Sequence, residues 1–248
     1  MMIGNRRILL SVVDSTNRYA RDLLGELPEE GTLVTAESQT AGRGRMDRQW
    51  MSATAQNVLA SLILYPEREA EEWGGLPLLS GLAVCRAVRS LATIDAHLKW
   101  PNDVLVDNRK LCGILVESGR LGSRPWVIVG IGINVNQVRF EGSYRATPTS
   151  MALEAGRPFD TDEVLAAMCG ELDRLYADWR EEGNPPIIAA WKQASRMLGQ
   201  GVVVDENGVP REGRAVDVAN DGSLVVEFPD GSTERIFAGD VTLQKGTK

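Results

Sequence analysis

The distribution of apolar residues changes near residue 197, and this change restricts the fold more than any other feature of the chain. Before it, apolar segments with the period of a strand alternate with segments that have the period of a helix. After it, short apolar segments are separated by pairs that favour tight turns, namely Asn207-Gly208, Asp221-Gly222 and Asp230-Gly231. We therefore predict a larger domain of strands and helices over residues 1–196 and a small β-barrel domain over residues 197–248.

Net charge and residue composition argue against several classes of protein. The 248 residues include 27 Lys and Arg against 34 Asp and Glu, a formal charge of −7, which argues against a general nucleic-acid binder. No segment approaches the roughly 20 consecutive apolar residues that a membrane span needs. Three widely spaced cysteines and a single histidine, His97, suit neither a disulfide framework nor a Cys/His metal site. We expect a cytoplasmic protein that binds neither nucleic acid nor a membrane.

Local signals predict the elements of the larger domain. The residues 14–17 supply N-cap side chains for a first helix, which Gly25 ends. A second helix is predicted over about 78–91, and a capping box over 160–163 opens a third. Segments rich in Val, Leu and Ile predict strands over 31–37, 57–65, 98–100, 104–106, 111–116 and 127–135.

The most unusual segment of the chain is Gly42-Arg43-Gly44-Arg45. Glycine lets the backbone approach a ligand closely, and each guanidinium offers planar donors that suit a carboxylate or a phosphate. Arg48 and Trp50 follow in the same polar segment, which has the period of neither a helix nor a strand. The segment predicts an anion-binding loop, although a match of four residues taken alone fits a solvated basic loop better.

Two further motifs place amines beside carboxylate and amide groups. Lys99-Trp100-Pro101-Asn102-Asp103 leads from a strand into a turn, and Arg109-Lys110-Leu111-Cys112-Gly113 opens the next strand. A lysine at the start of a strand could neutralise an anion formed during a reaction, and Gly113 leaves room for a flat ligand. Each motif alone also fits an ordinary turn or an exposed strand end.

A third motif, Gly130-Ile131-Gly132-Ile133-Asn134, predicts a strand that passes close to a ligand. It is not a dinucleotide-binding fingerprint, because the sequence has no third glycine that opens a helix. The chain has no Walker A motif, and with one histidine it offers no convincing Ser-His-Asp or Cys-His pair. The sequence therefore identifies no nucleophile of an enzyme.

The order of these motifs resembles the biotin protein ligase family over the whole chain. The resemblance is carried by residues 15–17, 39–45, 99–103, 110–117 and 130–134. It implies an α+β catalytic domain with a mixed sheet, akin to class II aminoacyl-tRNA synthetases, and a C-terminal SH3-like β-barrel. Because Ser15 lies so near the start, we expect the ligase-only form, without an N-terminal helix-turn-helix domain.

The resemblance implies a ligase that works in two steps. Biotin and ATP, with Mg²⁺, would give biotinyl-5′-AMP and pyrophosphate. A lysine of a biotin carboxyl carrier protein, part of a biotin-dependent carboxylase, would then take the biotinyl group and release AMP. Lys110 and Arg45 would be catalytic, since they would offset negative charge where a carboxylate meets a phosphate. An extended sheet edge would allow a homodimer.

The motif matches also imply a place for each site residue around the ligands. The ureido ring of biotin would be hydrogen-bonded by Ser15, Thr16 and Asn17. The loop that closes over biotin and the adenylate would comprise Gln39, Gly42, Arg43, Gly44 and Arg45. The same ligands would be contacted by Lys110, Gly113, Leu115 and Gly130. The ATP side would be formed by Trp50, Asn102, Asp103 and Asn134, and Mg²⁺ would be bound mainly through ATP.

Four positions depart from the family pattern. Asp47 replaces a glycine, Ala53 and Ala55 replace a proline and a glycine, and Gln244 stands where an arginine commonly reaches the ATP phosphates. We predict that Asp47→Gly tightens the hold on biotinyl-5′-AMP, because the carboxylate would repel the anionic adenylate. Two alternative functions remain at this stage: a lipoate protein ligase, which shares the fold and the adenylate chemistry, and a non-catalytic biotin-binding regulatory protein.

Overall fold

A computed structural model describes residues 2–46, 48–142, 144–206, 209–237 and 239–244. Its larger sheet has seven strands: Arg7–Val13 (β1), Leu33–Gln39 (β2), Asn57–Leu64 (β3), Ala96–Lys99 (β4), Asp103–Val106 (β5), Arg109–Leu121 (β6) and Arg124–Asn134 (β7). Their order in space is β1-β2-β3-β7-β6-β5-β4. β1 and β2 are parallel and the other neighbours are antiparallel, so the sheet is mixed, as expected.

Within the described ranges, five α-helices accompany this sheet: Thr16–Leu23 (α1), Leu76–Leu91 (α2), Met151–Ala155 (α3), Thr161–Glu182 (α4) and Asn184–Ala194 (α5). Two short 3₁₀ segments cover Leu24–Glu26 and Ala70–Gly75. Asp160 caps α4 through a bond from Asp162 N–H (2.9 Å), and Gly183, with φ of 78°, ends this helix. The predicted α+β class is confirmed.

Side-chain alternation in the central strands decides which face of the sheet can hold a site. The core face packs against α2, α4 and α5 in one large apolar cluster, to which β7 contributes Val127, Val129, Ile131 and Ile133. The alternate residues of β7 point the other way, where Gly130 and Gly132 pair in register with Leu115 and Gly113 of β6. The second face therefore carries α1 and a strip lined by glycine.

The C-terminal residues form a second sheet of five antiparallel strands: Gly201–Glu206 (β8), Val209–Val218 (β9), Leu224–Glu227 (β10), Thr233–Ile236 (β11) and Asp240–Leu243 (β12). Their order is β11-β10-β9-β8-β12. The four short apolar segments expected as strands, at 202–204, 215–218, 224–228 and 236–237, overlap β8, β9, β10 and β11, the last by one residue only. β12 has no counterpart in the sequence prediction, and the turn predicted at Asn207-Gly208 lies outside the described residues. The domain boundary at residue 197 stays a prediction.

Buried hydrogen bonds join the two sheets. Trp100 Nε1 donates to Gly222 O (2.9 Å), and Asn184 Nδ2 donates to Asn220 O (2.8 Å). Both donor residues are almost completely buried, so the C-terminal domain has one defined position beside β4 and α5. Over the described residues, none of the helices combines the length and the apolar character required to cross a membrane.

Candidate active site

One cavity of about 820 Å³ opens on the glycine-lined face of the larger sheet. It brings together every site residue expected from the sequence except Gly42: Ser15, Thr16, Asn17, Gln39, Arg43, Gly44, Arg45, Trp50, Asn102, Asp103, Lys110, Gly113, Leu115, Gly130 and Asn134. Residues 241–244 of the C-terminal domain add one wall. A cavity of this size and mixed lining suits an organic ligand that makes a few directed polar contacts.

The N-terminus of α1 forms the polar end of the cavity, where Ser15 is the N-cap residue. Gln39 Oε1 accepts from Thr16 N–H (2.8 Å) and lies 3.1 Å from the Thr16 hydroxyl. The buried Ser61 hydroxyl donates to Asn17 Oδ1 (2.6 Å), because that oxygen has no proton of its own to donate. These bonds hold the polar side chains in place without a ligand.

Asn17 extends from α1 to the sheet and rests its amide against Gly130. A Cβ at position 130 would collide with Asn17 Oδ1, so this strand position requires glycine. Asn17 Nδ2 donates to Glu117 Oε2 (2.9 Å) and lies 3.4 Å from Leu115 O. The amide orientation is therefore fixed, and the second lone pair of Oδ1 is available to a ligand N–H.

The Gly-Arg segment is a tight loop folded back on Trp50. Trp50 N–H donates to Gly42 O (2.9 Å), and Arg43 forms an isolated β-bridge with Gln49. Gly42 faces the Trp50 backbone and not the cavity, because a side chain there would collide with the Trp50 carbonyl. Asp47 lies outside the described residues, so the effect expected of Asp47→Gly stays a prediction.

Both guanidiniums of this loop reach side chains or backbone beyond the loop. Arg43 NH1 donates to Glu117 Oε1 (3.1 Å) on β6. Arg45 NH1 lies 3.4 Å from Asn102 Oδ1, and its NH2 lies 3.3 Å from Gly239 O in the C-terminal domain. The loop thus spans the cavity from the polar end to the C-terminal wall.

The indole of Trp50 lies against the two central glycine positions. A Cβ at Gly132 would come within 2.5–2.8 Å of the indole, and one at Gly113 within 3.0 Å. The sequence predicted a flat ligand beside Gly113, and in this structure the indole of Trp50 takes that place. Trp50 Nε1 is buried without a hydrogen-bond partner, and such a donor marks a place where a ligand acceptor would fit.

Lys110 and Lys99 flank one carboxylate. Lys110 Nζ lies 2.5 Å from Asp103 Oδ1, and Lys99 Nζ lies 3.8 Å from Asp103 Oδ2. Asp103 is the one carboxylate among the described residues that line the cavity. The lining therefore carries net positive charge, which favours an anionic ligand.

Asn134, the last residue of β7, connects this strand to the segment at residues 147–149. Its Nδ2 donates to Thr149 O (2.9 Å), and Lys110 N–H donates to Thr147 O (2.7 Å). Asn134 Oδ1 is buried without a partner, like the Trp50 indole nitrogen. Two polar atoms without a partner among the lining residues indicate a polar ligand.

The chain offers no activated thiol or imidazole in the cavity, within the part that the structure describes. Burial raises the pKa of the Cys112 thiol well above its usual range, which keeps the thiol neutral. His97 does not line the cavity, and burial lowers its pKa. No group of three or more His, Cys, Asp or Glu residues able to hold a metal ion occurs within the described ranges.

The three remaining departures from the family pattern have defined places. Ala53 N–H donates to Gln137 Oε1 (2.9 Å), and Gln244 N–H donates to Gly201 O (2.9 Å). Ala55 has a φ of 53°, in the left-handed region that favours glycine. A glycine at position 55 would suit the backbone better than the alanine present.

Several residues near the cavity were not expected from the sequence, among them Ser61, Glu117, Arg145 and Thr242. Arg145 NH2 donates to Thr242 Oγ1 (3.1 Å) and so closes the cavity on the C-terminal side. Ser61 and Glu117 had a detectable signal: each lies on the same face of its strand as the glycine-lined strip, by period-two alternation. Arg145 and Thr242 had none, because they meet only through the packing of the two domains.

Comparison with protein families gives two matches that together cover most of the chain. The sequence model of the biotin/lipoate A/B protein ligase family matches residues 9–136. The model of the biotin protein ligase C-terminal domain matches residues 197–243.

Relatives and solved structures agree with these families. The chain is 34% identical over 245 residues to the bifunctional ligase/repressor BirA of Bacillus subtilis, covering 98% of this chain and 75% of that protein. It is 34% identical over 241 residues to the biotin--[acetyl-CoA-carboxylase] ligase of Mycobacterium tuberculosis, covering 94% of this chain and 88% of that one. The structure of biotin protein ligase from Aquifex aeolicus in complex with biotin and ATP superposes with a TM-score of 0.84 at 28% identity, covering 98% and 100% of the two chains.

Proposed function

Since the chain belongs to the biotin/lipoate A/B protein ligase family, we propose that it activates biotin with ATP as biotinyl-5′-AMP and transfers the biotinyl group to a lysine of a biotin carboxyl carrier protein. One observation carries the proposal: a single cavity joins a buried polar end at α1 to a cationic end at Lys110 and Arg45. Biotin has the matching polarity, with a neutral cyclic urea at one end and a carboxylate at the other.

At the polar end, the ureido ring would meet donors and acceptors that are already fixed. Asn17 Oδ1 and the Thr16 hydroxyl oxygen can accept from the ureido N–H groups, and the Ser15 hydroxyl can donate to the ureido oxygen. The amide of Asn17 is held by Ser61 and Glu117, so binding does not have to order it. This arrangement supports assigning the polar end to the ureido ring.

In the first step, a biotin carboxylate oxygen bonds to the α-phosphorus of ATP, and the bond from that phosphorus to pyrophosphate breaks. Two anions must be held together, so cations that lie where charge develops lower the barrier. Lys110 Nζ and the Arg45 guanidinium occupy the cationic end of the cavity and are assigned this role. Trp50 Nε1 and Asn134 Oδ1 are assigned to the nucleotide, because both lack a partner.

In the second step, the ε-amine of the carrier lysine attacks the acyl carbon of biotinyl-5′-AMP. The carbon–oxygen bond to AMP breaks, an amide forms, and the attacking amine loses its proton. Asp103 is the one carboxylate among the described lining residues, and we assign it to the incoming ammonium. No covalent intermediate on the enzyme is needed, which agrees with the neutral, buried thiol of Cys112.

Mg²⁺ fits this site as a companion of ATP. Asp103, beside Lys110, offers a carboxylate, a hard oxygen donor of the kind that Mg²⁺ accepts. Few carboxylates are present among the described lining residues, so the phosphates of ATP would supply most of the ligands. When bound, Mg²⁺ would neutralise phosphate charge.

The test is release of pyrophosphate from ATP with biotin, followed by release of AMP when a biotin carboxyl carrier domain is added. We expect both, and biotin attached to the carrier lysine. Pyrophosphate release with lipoate in place of biotin would instead support a lipoate ligase. Biotin-dependent thermal stabilisation without pyrophosphate release would support a non-catalytic binding protein. A homodimer, the absence of DNA binding and a cytoplasmic location stay predictions.

A further inference from the structure

Glu117 contacts two side chains of the cavity lining, Asn17 at the polar end and Arg43 of the Gly-Arg loop. Its Oε2 accepts from Asn17 Nδ2 (2.9 Å), and its Oε1 accepts from Arg43 NH1 (3.1 Å). A third donor, Arg21 NH2 on α1, lies 2.6 Å from the same Oε1. Glu117 does not line the cavity, so it is placed to act through its neighbours.

We propose that Glu117 is a positioning residue that holds Asn17 and Arg43 together in their ligand-binding arrangement. The Glu117 side chain is 17% exposed and that of Arg43 36%, so the pair is partly shielded from solvent. Arg43 has five N–H donors and gives one to Glu117, so the rest of its fork can face the cavity. The carboxylate thereby aims the loop at the ligand anion and, through Asn17, aims the amide at the ureido ring.

Arg21 keeps this arrangement electrically balanced. Asn17 and Arg21 are four residues apart on α1 and therefore lie on the same face of the helix. Two guanidiniums lie near Oε1 of Glu117. The charge of Arg21 therefore still balances the Glu117 carboxylate when Arg43 turns part of its guanidinium to a ligand. Arg21 competes with Arg43 for Oε1, so its removal should not loosen the loop.

The first experiment uses the ligand-free protein and does not depend on any activity. Trypsin cleaves after an arginine only where the backbone can enter its active site, so the rate of cleavage after Arg43 reports how firmly Arg43 is held. Glu117→Gln keeps an acceptor for Asn17 but removes the charge that holds Arg43, and we expect cleavage about three- to fivefold faster than in the wild type. Glu117→Asp, which keeps the charge but withdraws the carboxylate, should also accelerate cleavage.

Two control variants separate this effect from general destabilisation. Arg21→Gln removes the competing guanidinium and should leave the cleavage rate at or below that of the wild type. Glu171→Gln is a matched control, since Glu171 Oε2 also lies near two arginines, 3.7 Å from Arg86 and 2.8 Å from Arg174. Neither arginine lines the cavity, so we expect wild-type cleavage of the loop.

The second experiment rests on the proposed function and measures biotin binding by calorimetry and steady-state rates of pyrophosphate release. We expect Glu117→Gln to raise Kd and KM for biotin about fivefold and to leave kcat within about twofold, because it acts on positioning. Arg43→Gln and the double variant should show non-additive losses. Wild-type cleavage in both Glu117 variants, or tighter biotin binding by Glu117→Gln, would overturn the proposal. If the wild type fails to bind biotin, the proposed function fails, while the cleavage rates still decide whether Glu117 holds the loop.

Discussion

At the scale of single residues, three glycines shape the site because they have no side chain. Gly130 admits the Asn17 amide, while Gly113 and Gly132 admit the Trp50 indole. A methyl group at any of these positions would collide with the side chain that now lies there. The three glycines therefore determine how closely α1 and the loop approach the sheet. The polar side chains of the site surround these glycines, and Lys110 has the role that is most directly testable.

Lys110→Ala should keep the fold and lose most of the adenylation rate. The ammonium would offset charge that develops between the carboxylate and the α-phosphate, and loss of such a group costs about 10²-fold or more in rate. The measurement is pyrophosphate release with biotin and ATP. The matched control is Lys192→Ala, since Lys192 Nζ also lies 2.5 Å from an aspartate, Asp217, but outside the cavity. A folded Lys110→Ala variant with wild-type pyrophosphate release would contradict the role.

Ala55→Gly and Gly170→Ala should both stabilise the protein, although the substitutions are opposite. Ala55 has a φ of 53°, where alanine is strained and glycine is not, and the gain net of chain entropy should be about 0.5 kcal/mol. Gly170 lies inside α4, and no atom lies within 4 Å of the place that an added methyl group would take, so alanine should add about 0.5–1 kcal/mol. Urea unfolding of the two variants tests both; destabilisation by Ala55→Gly would show that the left-handed backbone is not strained.

At the scale of elements, α2 connects the core to the sheet edge. Its residues are buried along most of their length, and Cys85 Sγ lies 3.2 Å from Ala96 O at the start of β4. The edge strand β4 is therefore held by the helix as well as by its neighbour β5. Because the thiol is fully enclosed, its ionisation is coupled to folding.

Stability should fall at alkaline pH through this thiol. Burial raises the pKa of Cys85 from 9.0 to about 11, against a smaller lowering by Arg89. Because the pKa of Cys85 is higher in the folded than in the unfolded protein, the neutral thiol contributes to the free energy of unfolding. This contribution is fully present below pH 9.0 and is lost as pH rises through about 11. Urea unfolding between these values should show a decline, to which one group adds at most about 1.4 kcal/mol per pH unit.

Cys85→Ala should reduce this slope, whatever its effect on absolute stability. The control is Val88→Ala, which also truncates a buried side chain of α2 but removes no titrating group. It should keep the wild-type slope. Identical slopes in the wild type and Cys85→Ala would show that the thiol does not ionise on unfolding in this range.

At the scale of the whole molecule, the C-terminal sheet supplies one wall of the cavity, and hydrogen bonds outside the cavity hold that sheet in place. Trp100 and Asn184 bond to the backbone of the turn at residues 220–222, and residues 241–244 then form a cavity wall. Arg45 and Arg145 reach across the same gap to Gly239 and Thr242. The site therefore depends on the relative position of two separate sheets.

Asn184→Ala should weaken this attachment. Asn184 is 2% exposed; its Oδ1 accepts from Trp179 Nε1 (2.7 Å), and its Nδ2 donates to Asn220 O (2.8 Å). The substitution leaves the buried indole N–H without a partner, and we expect a loss of about 2 kcal/mol in the free energy of unfolding. Thermal and urea unfolding measure it. Asn5→Ala, at an exposed asparagine, should change stability little; equal effects of the two substitutions would contradict the buried role of Asn184.

The sequence by itself determined the elements whose signals are local. Helix caps, period-two apolar segments and turn pairs act over a few residues, so α1, α2, α4 and most strands could be predicted from them. The edge strand β1 escaped, because its sequence from Arg7 to Val13 does not alternate between polar and apolar residues. The motifs also indicated, through their resemblance to one family, many of the residues that line the cavity.

Only the tertiary structure decided how those residues meet. The pairing of β6 with β7 sets Gly113 opposite Gly132, and the fold brings Asn17 and Arg43 to one carboxylate 100 and 74 residues away in sequence. Glu117, Arg145 and Thr242 belong to the site through such contacts. Long-range packing assigns their partners, because hydrogen bonds of a few ångströms depend on the positions of whole elements, which no local pattern encodes.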